Sequence, residues 1–117
     1  MLPLEPSEEL APFQAEMCGA LANPQRILML CALAKRPYHV SGLANHLGMS
    51  QPVTSRHLKV LREQGLVCAQ RKGAMVEYRL ADARLMEALR LLREVLQDRL
   101  ARRASLADAT DTTVSAR

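Results

Sequence analysis

The stretch Ser41–Gly65, SGLANHLGMSQPVTSRHLKVLREQG, constrains the fold more than any other part of the chain, because two helix starts flank a glycine stop. Ser41 is a favourable N-cap for a short helix whose apolar Leu43, Ala44 and Leu47 fall on one side, and Gly48 supplies the left-handed residue that ends it. Ser50 caps a second helix, with Pro52 in its first turn where a missing N–H costs nothing, and Gly65 closes it about four turns later. A short helix, a tight turn and a second helix studded with Gln, Thr, Ser, Arg and Lys make the helix-turn-helix pattern.

At roughly 100° per residue, Val53, His57, Val60 and Leu61 of the second helix share one face and Gln51, Ser55, Lys59 and Arg62 the other. A merely solvated face more usually mixes Glu with Lys, whereas this quartet offers an amide, a hydroxyl and two cations without an acid. That chemistry suits the major groove of double-stranded DNA, where Gln bonds the adenine N6 and N7 edge, Ser and Thr serve several bases, and Lys and Arg hold phosphate or guanine. A solvated polar face stands as the plainer alternative.

Two β-prone runs follow, Leu66–Lys72 and Met75–Leu80, around Gly73-Ala74, with Val76, Tyr78 and Leu80 alternating against Met75, Glu77 and Arg79. They predict a hairpin with one covered face, whose tip places Arg71 and Lys72 beside the second helix. That order of elements is a winged helix, with the wing on the phosphate backbone or a neighbouring minor groove.

The strings ANPQRILML, LANHLGMSQPVTSRHLKVLREQGLV and the hairpin ending EYRL resemble the ArsR/SmtB (arsenic-repressor-like) family of bacterial winged-helix regulators, over roughly Phe13 to Leu100. The resemblance implies a mainly α fold with a small β-hairpin, pairing through the first and last helices. It also implies a homodimeric repressor released from an inverted-repeat DNA operator by an inducer.

With 117 residues, 49% of them hydrophobic, the chain has material for one modest core, and so small a domain gains stability by pairing. A formal charge of +4 favours a polyanionic partner. Aromatic residues make up 3% and Trp is absent, which argues against single-strand binding by base stacking. The absence of a signal peptide or a long apolar run gives a cytoplasmic expectation with no membrane partner. No Ser/His/Asp set, paired-acid pocket, phosphate loop or cofactor fingerprint supports an enzyme.

Residues 1–104 read as one DNA-binding and dimerisation domain with 1–7 a loose arm, and 105–117, rich in Ala, Asp, Thr and Ser, as a disordered tail. The first helix is expected from Glu8 or Pro12 to Leu21, and Asn23-Pro24 opens a core helix through Ala34, apolar nearly all round. Tyr38–Val40 suggests a short strand, and Asp82 is the expected cap of a long last helix. There Leu85, Leu89, Leu92, Leu96 and Leu100 recur at four- or three-residue steps, as in a coiled-coil seam, with Phe13, Met17 and Leu21 as the partner stripe. The alternative is a stripe packed on its own core. Arg90, Arg93, Arg99, Arg102 and Arg103 fit a solvated face.

Metal-sensing members of the resembled family carry a Cys-x-Cys pair where this chain has His39 and Ser41, or Asp and His ligands on the last helix, which here holds no His from Asp82 to Arg103. No metal site and no required cofactor are expected on those grounds. Cys18, Cys31 and Cys68, an odd set without CxxC spacing, argue against a structural disulfide. Cys31 in the apolar helix reads as a core thiol and Cys68 as a small hydrophobe, while Cys18 beside Met17 is the first sensor candidate. Three soft ligands leave open a soft metal or metalloid, or a redox or reactive-sulfur switch. His57 reads as packed and hydrogen-bonded, with a phosphate contact as the alternative, and His46 as a surface residue.

The DNA-binding set is therefore Ser50, Gln51, Thr54, Ser55, Arg56, Lys59, Arg62, Arg71 and Lys72, with Gln51 and Ser55 for base readout, Thr54 as a flank and the cations on phosphates. The alternatives are a thiol-sensing repressor and a dimeric winged-helix module that binds protein in place of DNA.

Overall fold

The computed structural model describes residues 4–115. The chain divides into two compact units, the first ending at Ala83 and the second beginning at Arg84. In the first unit α1 (Ala11–Leu21) and α2 (Pro24–Lys35) precede β1 (Tyr38–His39), α3 (Val40–Leu47) and α4 (Gln51–Glu63), and β2 (Val67–Lys72) and β3 (Met75–Leu80) close it. The second unit is α5 (Arg84–Ser115). Residues 4–7 precede the first helix without regular structure, and Met1–Pro3 of the expected arm lie outside the described residues.

Local chemistry places the helix ends. Asn23 Oδ1 accepts from the Gln25 and Arg26 amides at 2.9 and 3.1 Å, and Pro24 takes the first helical position of α2. Ser50 Oγ accepts from Val53 N at 3.3 Å to cap α4. Gly65, at φ 72°, lets the Leu66 amide turn back to Leu61 O at 2.9 Å and its own amide to Arg62 O at 2.9 Å, which satisfies two carbonyls left over by α4. Gly48, at φ 65°, ends α3 in the same way.

The sheet has the order β1-β3-β2, antiparallel throughout, with Tyr38 opposite Tyr78 and Val67 opposite Leu80. Gly73 alone of the two turn residues takes a positive φ, 63°, which marks a type II′ hairpin. The core of this unit is Met29, Leu30, Leu33, Leu43, Leu58, Leu61, Leu66 and Val67, so the wing is rooted in the same apolar cluster as α2, α3 and α4.

Four expectations are corrected. Ser41 lies inside the first turn of α3, because β1 pairing with Tyr78 ends at His39 and the helix starts directly at Val40. Thus Val40 is helical and not strand. The helix Pro24–Lys35 is not apolar core all round: Leu28 is exposed and Cys31 half-buried, and only Met29, Leu30, Ala32 and Leu33 are fully inside. The segment from Ser105, expected as a disordered tail, continues α5 as helix to Ser115, since extending an existing helix costs far less than nucleating one. Ala116 and Arg117 lie outside the described residues.

Candidate nucleic-acid interface

On α4 the buried line is Thr54, Leu58 and Leu61, at steps of four and three. This corrects the place given to Thr54. Its side chain is 0% exposed and its Oγ1 donates to Ser50 O at 2.8 Å, so it is a satisfied core group and cannot flank a base contact. The buried face is turned from the expected Val53, His57, Val60 and Leu61 set toward Leu58, and Val53, His57 and Val60 lie half-buried at its margin.

The rotation leaves the readout candidates outside. Gln51, Ser55, Arg56, Lys59 and Arg62 are all exposed, and Ser50 is exposed with its hydroxyl engaged as the cap. Lys59 faces Glu63 at 4.0 Å, so an acid does share this surface, as an exposed i,i+4 pair of small energetic weight that a phosphate can displace. Gln51 also lines a groove of about 380 Å³ with His39, Val40 and Ser41 on one side and Met75, Val76 and Tyr78 on the other. The first turn of α4 and the wing thus border the same space.

In the hairpin, Arg71 stands opposite Val76 and Lys72 opposite Met75, so the two tip cations leave opposite faces of the ribbon. The Lys72 face also carries Cys68, Gln70, Glu77 and Arg79. Glu77 lies 3.1 Å from Lys72 Nζ and 2.8 Å from Arg79 Nη2, and it holds both cations on that face. The hydrogen bond from Arg79, then that from Lys72, lowers the Glu77 pKa below its ordinary value. Sequence reasoning missed Glu77 and Arg79 as organisers of the wing. The signal was available, because a two-residue turn fixes the register and brings positions 72, 77 and 79 together diagonally.

Cys18 and Cys68 are exposed and Cys31 half-buried, and all three stand as thiols. The expectations of a core thiol at Cys31 and a packed hydrophobe at Cys68 are corrected accordingly. Cys68 lies at a position whose side chain leaves the β2–β3 sheet on the charged face, with its Sγ 3.8 Å from Arg79 O. His39 donates through Nδ1 to Val76 O at 3.1 Å, and among the described residues no three His, Cys, Asp or Glu side chains gather closely enough to hold a metal ion. His46 is exposed and its ring lies 5.4 Å from that of Tyr38.

Of the proposed pairing residues, Phe13 and Met17 on α1 and Leu92 and Leu96 on α5 are exposed, while Leu21, Leu85 and Leu89 are half-buried. Leu91, Val95 and Leu100 add to the exposed apolar surface of α5. Arg90 is engaged by Glu87 and Glu94 on that helix, which suits a solvated face. Among the described residues no single helix is long and apolar enough to cross a membrane.

The model of the arsR family of bacterial regulatory proteins matches residues 23–68, the span from the Asn23 cap to the start of the wing. The biofilm growth-associated repressor of Agrobacterium fabrum is 40% identical over 91 residues, covering 75% of this chain and 78% of that protein. The crystal structure of NolR from Sinorhizobium fredii superposes with a TM-score of 0.70 at 38% identity, covering 81% of this chain and 96% of NolR. The homodimeric winged helix-turn-helix DNA-binding domain of Mb0332 from Mycobacterium bovis gives a TM-score of 0.72 at 30% identity, covering 84% of this chain and 94% of that domain. The family match, this level of identity over most of the sequence and the close superposition lead to one conclusion: the chain belongs to the ArsR family of winged helix-turn-helix regulators.

Proposed function

We propose that the chain is a homodimeric transcriptional repressor, working in the cytoplasm, that sets α4 of each protomer into successive major grooves of an inverted-repeat operator and leaves it when an inducer binds. The observation that carries this reading is the exposed amide, hydroxyl and cations of α4, at Gln51, Ser55, Arg56, Lys59 and Arg62, backed by the fully buried Thr54, Leu58 and Leu61. A helix held so firmly on one side can present the other at fixed register to base edges. Gln51 and Ser55 read bases, Arg56, Lys59 and Arg62 hold phosphates, and Arg71 and Lys72 extend the footprint from the wing.

The test is enrichment of a duplex from a randomised pool, followed by gel shifts across a salt series. Affinity should fall steeply with salt, and replacing Arg71 and Lys72 together by Ala should lower the log–log slope by about two units per dimer for every phosphate that each subunit no longer holds. An unchanged slope would place the wing off the DNA. A chain that enriches no duplex would be a winged-helix module for a protein partner.

The exposure of Cys18 on α1, next to Met17 of the pairing stripe, favours thiol chemistry as the route for the signal. An adduct there would shift the two protomers and with them the spacing of the two α4 helices. Cys18→Ser is expected to bind the enriched duplex like the wild type and to resist thiol-directed inducers. Release of this variant at unchanged inducer concentration removes Cys18 from the mechanism.

A further inference from the structure

Arg26 stands at the centre of a run of hydrogen bonds through three helices. Its Nε donates to Ala20 O at 2.6 Å and its Nη2 to Gly19 O at 3.3 Å, carbonyls in the last turn of α1, the second of which also accepts from the Ala22 amide at 3.1 Å. Its Nη1 reaches His57 Nδ1 on α4 at 3.4 Å, and His57 Nε2 lies 2.8 Å from Gln25 Oε1 at the start of α2. A guanidinium has donors only, so Nδ1 must be the acceptor in this contact. The ring proton then sits on Nε2 and goes to Gln25. One neutral tautomer satisfies both neighbours.

We propose that His57 is a positioning residue, fixing α4 against α2 and the end of α1 in the arrangement that engages DNA, and that this link holds only while its ring is neutral. The inference rests on α4 being the helix that enters the groove. A second ring proton would go to Nδ1, where it would meet the Arg26 guanidinium donor against donor. The charged groups acting on the ring are Arg26 from α2 and Arg56 from α4 itself, both cations. Gln25 is neutral, and α1 contributes carbonyls that Arg26 already holds.

Burial first, and the two arginines after it, hold the His57 pKa below its ordinary value. The linked state therefore binds a proton less readily than any state in which α4 has slipped from α2. Its contribution is complete above an ordinary imidazole pKa of about 6.5 and is lost as the pH falls through the lowered value. Proton and DNA then compete through the same helix, and acidification weakens operator binding. Histidines that merely face DNA do the opposite, since they gain charge beside phosphate and tighten the complex.

The test uses the full chain and the duplex it enriches, at constant ionic strength between about pH 7.5 and about pH 5.5, on either side of the imidazole range. Wild-type affinity is expected to fall about tenfold, the order of one coupled proton. His57→Gln, whose amide can bridge Arg26 and Gln25 without titrating, should lose less than about twofold over the same range, or gain. Parallel profiles for the two proteins, or a wild type that tightens on acidification, would overturn the inference while leaving DNA binding intact. A chain that enriches no duplex would overturn the DNA reading as well. A ring-nitrogen NMR titration of the wild-type protein gives a measurement independent of how the variant folds: a His57 pKa at or above about 6.5 also overturns it.

Discussion

Leu92→Asp is expected to abolish tight operator binding while leaving α4 and the wing folded, by converting the proposed dimer into monomers. Leu92 is 62% exposed and Val95 63%, and Leu91, Leu96 and Leu100 extend this apolar surface along α5. A run of exposed leucines on a helix of a small protein is a surface that needs covering, and a second copy offers the same stripe in return. Under two-fold symmetry one substitution places two carboxylates in the interface. Each buried unpaired charge costs about 3–5 kcal/mol, so dimer affinity should fall by well over a hundredfold, on the order expected from that energy. Operator affinity follows, because one half-site engages far fewer phosphates than two. Sedimentation velocity at low micromolar concentration checks it, and a variant that stays dimeric there moves the interface off Leu92.

The parts of the fold legible in the sequence are those set by signals acting within a few residues. Asn23 before Pro24, Ser50 three residues ahead of Val53, and Gly48 and Gly65 at positive φ all lie where their side chain, or lack of one, satisfies a helix end. The two-residue hairpin turn at Gly73-Ala74 belongs to the same class. What escaped reading depends on neighbours distant in sequence. Thr54 looks like a groove residue by type, yet steps of four and three align it with Leu58 and Leu61, and packing of α4 against the core then settles its burial. The start of α3 is set by β1 pairing with β3, some forty residues on, and no cap residue at position 41 could override it. His57 was legible as a packed residue, but its partners Gln25 and Arg26 lie on another helix more than thirty positions away. Composition alone misjudged Ser105–Ser115, where continuation from Arg102 and Arg103 carries the helix through residues that would not start one.

Gln51→Ala should cost about 1–3 kcal/mol of specific affinity, roughly 5- to 150-fold, while binding to unrelated duplex stays nearly unchanged. Gln51 is the first residue of α4, directly after the Ser50 cap, and its exposed side chain borders the groove shared with His39 and the wing. Residues at the N-terminal end of a groove-bound helix reach base edges first, and a Gln amide can donate to N7 of an adenine while accepting from its N6 amine. Truncation would remove both proposed bonds and leave the base edge unsatisfied, whereas the hold proposed for Arg56, Lys59 and Arg62 on phosphates would persist. Since an exposed first-turn side chain adds nothing to the packed core, the melting curve should move little. Competition gel shifts with the enriched duplex and with a scrambled one separate the two terms. An equal loss on both duplexes would show that Gln51 positions or stabilises α4, and base readout would then fall to Ser55 alone.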